Sequence, residues 1–185
     1  MMGTCVARHF SFCASHRLFL CVDKNHPCSH LHGHNYEGEV IVSARRAYDG
    51  MFIDFSTLKE RISNLEQTFD HCTIVNESDP FVKVLTEYKM KKVVLRHGDP
   101  TVEHMTTVWA EMLTRQILYY FMNVNRLDRI ADLKSVTVKM DETRNCWGSY
   151  EHVIEDLVLI QPNKYSDSQI KASICTINSR SEFST

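Results

Sequence analysis

The segment "HPCSHLHGHNY", residues 26–36, holds four histidines and one cysteine in eleven positions. Residues two apart on a strand point to the same side, so His32 and His34 can converge on one ion, with Gly33 leaving the backbone between them uncrowded. A third ligand has to come from a neighbouring strand. His16 ends an alternating run whose even positions include Phe10, Phe12 and Ala14, and pairing of the two strands would bring it alongside. Three neutral imidazoles with a fourth position open are the ligand set of a catalytic zinc. Parity does not by itself choose these three, because His30 shares it with His32 and His34, and His26 lies close upstream.

The elements that must position these residues follow from periodicity. Val6 to His16 alternates as a strand, and a second alternating run from His32 puts His34, Tyr36, Gly38, Val40 and Val42 on the face of His32. After the turn-like Tyr48-Asp49-Gly50, Leu58, Ile62, Leu65 and Phe69 recur at helical spacing. Asp54 or Thr57 is available as N-cap, the latter with Glu60 as a capping box. Residues 79–96 read as a short helix followed by the strand "KVVL". "DPT" at 99–101 opens a second long helix with Val102, Met105, Trp109, Met112, Leu113, Tyr120 and Phe121 on its apolar face. "KSVTVKMDET" alternates with Val136, Val138, Met140 and Glu142 on one side, and "HVIEDLVLI" reads as a last strand. Strand pairs separated by helices predict an α+β domain, an antiparallel sheet with two main helices on one face. It should span residues 1–160, followed by a polar, Ser-rich extension over 161–185 that is expected to be mobile.

Composition narrows the function classes. The 185-residue chain is 43% hydrophobic and 24% charged, an ordinary globular balance, and it contains no apolar run approaching the ~20 residues of a membrane span. A formal charge of −2 without a Lys/Arg cluster gives no footprint for nucleic acid and favours a small-molecule substrate. The N-terminus lacks signal-peptide and transit-peptide patterns, so the expected location is the cytoplasm. Seven cysteines (Cys5, Cys13, Cys21, Cys28, Cys72, Cys146 and Cys175) without a Cys-x-x-Cys argue against a disulfide framework. Most are expected reduced and buried, as small hydrophobes.

Taken together, "FSFCASHRL", "CSHLHGHNYEGEV", "GMFIDFSTLK", "FDHCTIVN", "DPTVEH" and "DETRNCWGSY" resemble the 6-pyruvoyl/6-carboxy-tetrahydropterin synthase family, over roughly residues 5 to 160. The resemblance implies the tunnelling fold, assembled as a barrel-like homohexamer of two trimers with active sites at subunit interfaces. It implies zinc on His16, His32 and His34, and a catalytic cysteine at Cys28. It further implies an acid–base pair at Asp70 and His71, and a pterin-anchoring carboxylate at Glu142, whose two oxygens suit the pterin's N–H edge. The short spacing from Cys28 to His32 resembles the 6-carboxy branch of the deazaguanine (queuosine) pathway, whereas the mammalian-type pyruvoyl synthases have a longer gap. The implied substrate is 7,8-dihydroneopterin triphosphate, with neither nucleic acid nor membrane as partner.

This chain departs from the family pattern at Asp99 and His104, where asparagine is common, and its "KMKKVVL" insert resembles a longer microbial form. Two other classes fit parts of the sequence. A metal-storage module explains the histidine-rich segment but not the joint presence of Cys28, Asp70, His71 and Glu142. A hydratase-like zinc enzyme needs the histidines but has no use for Glu142.

Overall fold

The computed structural model describes residues 3–154; the expected extension at 161–185 lies outside the described residues. β1 (Thr4–His16) and β2 (His32–Ala44) pair antiparallel along their whole length, from Thr4 opposite Ala44 to His16 opposite His32. Their even-numbered residues Phe10, Phe12, Ala14, Tyr36, Val40 and Val42 are buried, and the odd-numbered face is largely open. That alternation fixes the register, since a slip of one residue would turn each apolar set to solvent.

α1 (Phe55–Phe69) starts at Asp54, whose carboxylate accepts the N–H groups of Ser56 and Thr57, at 2.8 and 3.3 Å. The alternative box from Thr57 to Glu60 is not used, because Thr57 already lies inside the first turn. Leu58, Ile62, Leu65 and Phe69 form the buried stripe, as their spacing predicts. α3 (Val102–Asn123) is capped by Thr101 and seats Trp109 among Phe10, Phe12 and Phe69, with ring centroids 4.5, 5.2 and 5.4 Å away. Burial of such a side chain is worth about 1.5–3 kcal/mol, so this cluster fastens both main helices to the even-numbered face. Met112 and Tyr120, expected on the apolar face of α3, are only partly buried.

The sheet is mixed rather than antiparallel throughout. Its order is β4-β3-β1-β2-β5-β6, with β3 (Cys72–Asn76) parallel to β1 and β4 (Lys92–Leu95) parallel to β3. β3 escapes the periodicity because all five of its residues are buried, leaving no alternation to read. The short helix α2 (Phe81–Glu87) and β4 lie where the insert predicts them. α4 (Leu127–Asp132) is one short turn the sequence pattern does not signal. β5 (Leu133–Thr143) pairs with β2 and with β6 (Cys146–Val153). The last strand thus begins six residues before the expected His152. Of "HVIEDLVLI" only His152 to Ile154 lie among the described residues.

All six described cysteines are free, but only Cys72 is buried. Cys5 and Cys13 occupy odd positions of β1, so their side chains fall on the open face instead of in the core. No helix among the described residues is long and apolar enough to cross a membrane.

Candidate metal centre and acid–base pair

His16 and His32 face each other at the end of the β1–β2 ladder, and His34 sits one pleat further along β2 on the same side. One ring nitrogen from each of the three lies within 4.8 Å of the others. The Nε2 atoms of His16 and His32 are 3.1 Å apart. His16 Nδ1 lies 2.7 Å from the carbonyl oxygen of Pro100, and His32 Nδ1 lies 2.8 Å from that of His30. A carbonyl only accepts, so both Nδ1 atoms carry the proton and both Nε2 lone pairs point inward. Two bare nitrogens at that separation repel unless a cation lies between them, and carbonyl-oriented imidazoles are the usual support of a metal. The donor set therefore fits a divalent transition metal.

Electrostatics keep the His16 and His34 rings in the ligating form. Burial pushes His16 down from 6.5 to about 4; the Pro100 carbonyl opposes this, while His32 and His34 reinforce it. Burial likewise lowers His34, partly offset by the Glu142 charge. Beneath them Tyr36 is fully buried and presents its ring edge-on to His16 and His34, at 6.1 and 5.7 Å.

Glu142 reaches the same centre. Its Oε1 lies 3.4 Å from His16 Nε2 and 3.8 Å from His34 Nε2. The pairing of β5 with β6 skips one residue here, Asp141 facing Trp147 and Thr143 facing Cys146, so Glu142 is the extra residue of a bulge. A bulge re-aims a side chain.

The other histidines take supporting parts. His26 Nδ1 accepts the N–H of Cys28 and caps the short 3-10 turn Pro27–Ser29, while His30 contributes its backbone carbonyl to His32. Cys28 is half-buried on that turn, which is tied to the strand end by the Leu18 N–H on the Cys28 carbonyl at 2.8 Å. The neighbouring loop is held by Arg17, Asp79 and Asp99, none of them among the expected site residues. Arg17 makes a two-pronged pair with buried Asp79, both contacts at 2.6 Å. Asp99 accepts the N–H groups of Phe19, Leu20 and Cys21. Burial would raise the Asp99 carboxyl, but these donors outweigh it and hold it below the ordinary carboxylate range.

Asp70 and His71 form a second pair, at the C-terminal end of α1. His71 Nδ1 is 2.7 Å from Asp70 Oδ2, and Asp70 Oδ1 accepts the Cys13 N–H at 2.9 Å. That N–H donation holds the Asp70 carboxyl low, and the His71 contact adds to it. The imidazole is largely exposed, beside a depression of about 520 Å³ lined by Cys13, Ser15, Asn35, Thr73 and Lys91. Most of its β1 and β2 lining belongs to the odd-numbered face, but His34 of the histidine cluster lines it as well. Of the sequence-derived site residues, the chain thus gathers His16, His32, His34 and Glu142 at one centre and pairs Asp70 with His71 at another.

A family model described as 6-pyruvoyl tetrahydropterin synthase matches residues 5–153. A 6-carboxy-5,6,7,8-tetrahydropterin synthase of Rickettsia typhi is 30% identical over 143 residues, 76% of this chain and 94% of the relative. A Helicobacter pylori protein of the same name is 25% identical over 158 residues, covering 82% of this chain and 74% of its own. In fold, a Plasmodium vivax 6-pyruvoyltetrahydropterin synthase superposes with a TM-score of 0.64 at 18% identity, over 83% of this chain and all of the other (100%).

Proposed function

The chain belongs to the 6-pyruvoyl tetrahydropterin synthase family of lyase-type enzymes, and from that membership we propose that it is a zinc-dependent 6-carboxy-5,6,7,8-tetrahydropterin synthase. The proposed substrate is 7,8-dihydroneopterin triphosphate, and the products, with water consumed, are the carboxylated tetrahydropterin, acetaldehyde and triphosphate. The observation that carries this reading is one centre where the Glu142 carboxylate meets the clustered imidazoles of His16, His32 and His34.

His16, His32 and His34 would hold the zinc, which when bound supplies Lewis acidity toward the hydroxyls of the substrate side chain. Glu142 accepts the N–H donors of the pterin edge and sets which side-chain carbon lies near the thiol of Cys28. Cys28 acts as base on that carbon, and His71, oriented through Nδ1 by Asp70, relays or returns protons at Nε2. Because the ring gains the electrons the side chain loses, no external reductant is needed. As the family resemblance implies, the proposal includes a site completed between subunits, in a homohexamer of two trimers working in the cytoplasm.

The runner-up is 6-pyruvoyl-tetrahydropterin synthase, favoured by the description of the matching family model. The cysteine four residues before His32 and the names of the R. typhi and H. pylori relatives support the carboxy product instead. Mass-spectrometric product analysis after incubating the zinc-loaded protein with 7,8-dihydroneopterin triphosphate, with aldehyde trapping, separates the two. Acetaldehyde with 6-carboxy-tetrahydropterin is expected; a pyruvoyl product without acetaldehyde would make the runner-up correct.

A further inference from the structure

An exposed lysine ordinarily extends its ammonium into water. Lys91, in the insert just before β4, instead turns its Nζ onto two backbone carbonyls, those of Gln67 at 2.7 Å and Asp70 at 2.5 Å. These belong to the last turn and C-cap of α1, where carbonyls have no partner within the helix. The backbone of Lys91 is fixed as well, its carbonyl accepting the Thr73 N–H at 3.1 Å. One residue therefore grips the chain on both sides of Asp70 and His71.

That grip bears on an unusual backbone. His71 has φ +54, a left-handed conformation uncommon for any residue with a side chain. An extended backbone would send the side chains of consecutive residues to opposite faces. The left-handed turn is what lets the His71 imidazole fold back onto the carboxylate of Asp70. β1 holds the turn from one side, through the His71 N–H on the Cys13 carbonyl at 2.7 Å and the Cys13 N–H on Asp70. Lys91 holds it from the other. The strained conformation persists only where its surroundings over-determine it.

We propose that Lys91 is a positioning residue whose ammonium, seated on the carbonyls of Gln67 and Asp70, locks the turn that sets the His71 imidazole on the Asp70 carboxylate. The catalytic consequence rests on the acid–base role given to His71 above; the locking of the turn does not.

The test compares wild type, Lys91→Met, Lys91→Arg, His71→Ala and the double variant, all zinc-loaded. Lys91→Met should lower kcat about 10- to 100-fold, the cost of misplacing a reacting group. KM should stay within about two-fold, as expected when substrate binding is untouched. Lys91→Arg, which keeps a donor of similar reach, should recover most of the rate. In the His71→Ala background the Lys91→Met change should add nothing. Full activity in Lys91→Met, or an equal further loss on top of His71→Ala, overturns the assignment. Hydrogen exchange of the peptide over residues 70–73 gives a readout free of turnover. Its protection should fall at least tenfold (an order-of-magnitude expectation for local opening) in Lys91→Met and hold in Lys91→Arg, with β2 unchanged. Unchanged protection in Lys91→Met sinks the proposal even if the enzyme turns over as expected. A wild type inert toward the pterin triphosphate would instead refute the functional reading, leaving the exchange comparison to decide Lys91.

Discussion

The imidazole of His16 is 1% exposed and neutral, and its proton balance differs between the folded and unfolded chain. Its folded value is lowered by burial from 6.5 to about 4, so between those pH values the unfolded chain binds more protons. His16 therefore contributes full stability above pH about 6.5, and that contribution is lost as pH falls toward about 4. Urea midpoints of the zinc-free protein should drop between pH 7.5 and 5, and His16→Gln should flatten part of that slope; an unaltered slope would falsify this account. Glu142 is a separate lever on the same centre. Glu142→Ala removes charge-assisted hydrogen bonding worth about 1.5–3 kcal/mol in all, so KM for the dihydropterin should rise about 10- to 100-fold with zinc stoichiometry near one. Steady-state kinetics beside metal analysis checks it, and an unchanged KM would remove Glu142 from the pterin site. Residue types at this scale were legible in the sequence. The choice among the histidines was not, because His26 and His30 differ from the three candidate ligands only in where the chain turns between them.

At the scale of elements, the site depends on how closely β2 lies between its neighbours. A Cβ on Gly38 would stand 2.2 Å from the Lys139 carbonyl oxygen and 2.5 Å from the Phe10 ring. Gly38→Ala must displace both backbone in β5 and the ring that Trp109 packs on. Overpacking of this kind costs about 1–3 kcal/mol or more, so a marked fall in thermal midpoint is expected. A midpoint within a degree or so of wild type would mean the strands separate more easily than their packing suggests. β1, β2, α1 and α3 were readable because each shows one clean period. The Glu142 bulge was not, since a bulge depends on what the partner strand does, and the parallel strand β3 was hidden because burial on both faces erases alternation.

For the whole molecule, the proposed sharing of each site between subunits makes a prediction about assembly. If sites are completed between subunits, co-expressing inactive His32→Ala and His71→Ala chains should regenerate intact sites. Random mixing would yield up to about a quarter of the wild-type number in a closed symmetric assembly. Activity no higher than the sum of the two variants alone would mean that each chain carries its own complete site. The open, odd-numbered face of β1 and β2, with exposed Cys13, Asn35 and Glu37, is the surface such an assembly would have to arrange.

Residue kinds, the two-residue spacing of His32 and His34, the strand and helix periods and the family pattern are all readable along the chain, because each is local or ordered by position. Tertiary structure decided that His16 lies opposite His32, that Pro100 and His30 fix the ring tautomers, that Glu142 turns inward on a bulge, and that Lys91 staples the Asp70–His71 turn. Those relations join residues far apart in the chain, 84 positions for His16 and Pro100. They arise from register and packing between elements, which no local period encodes.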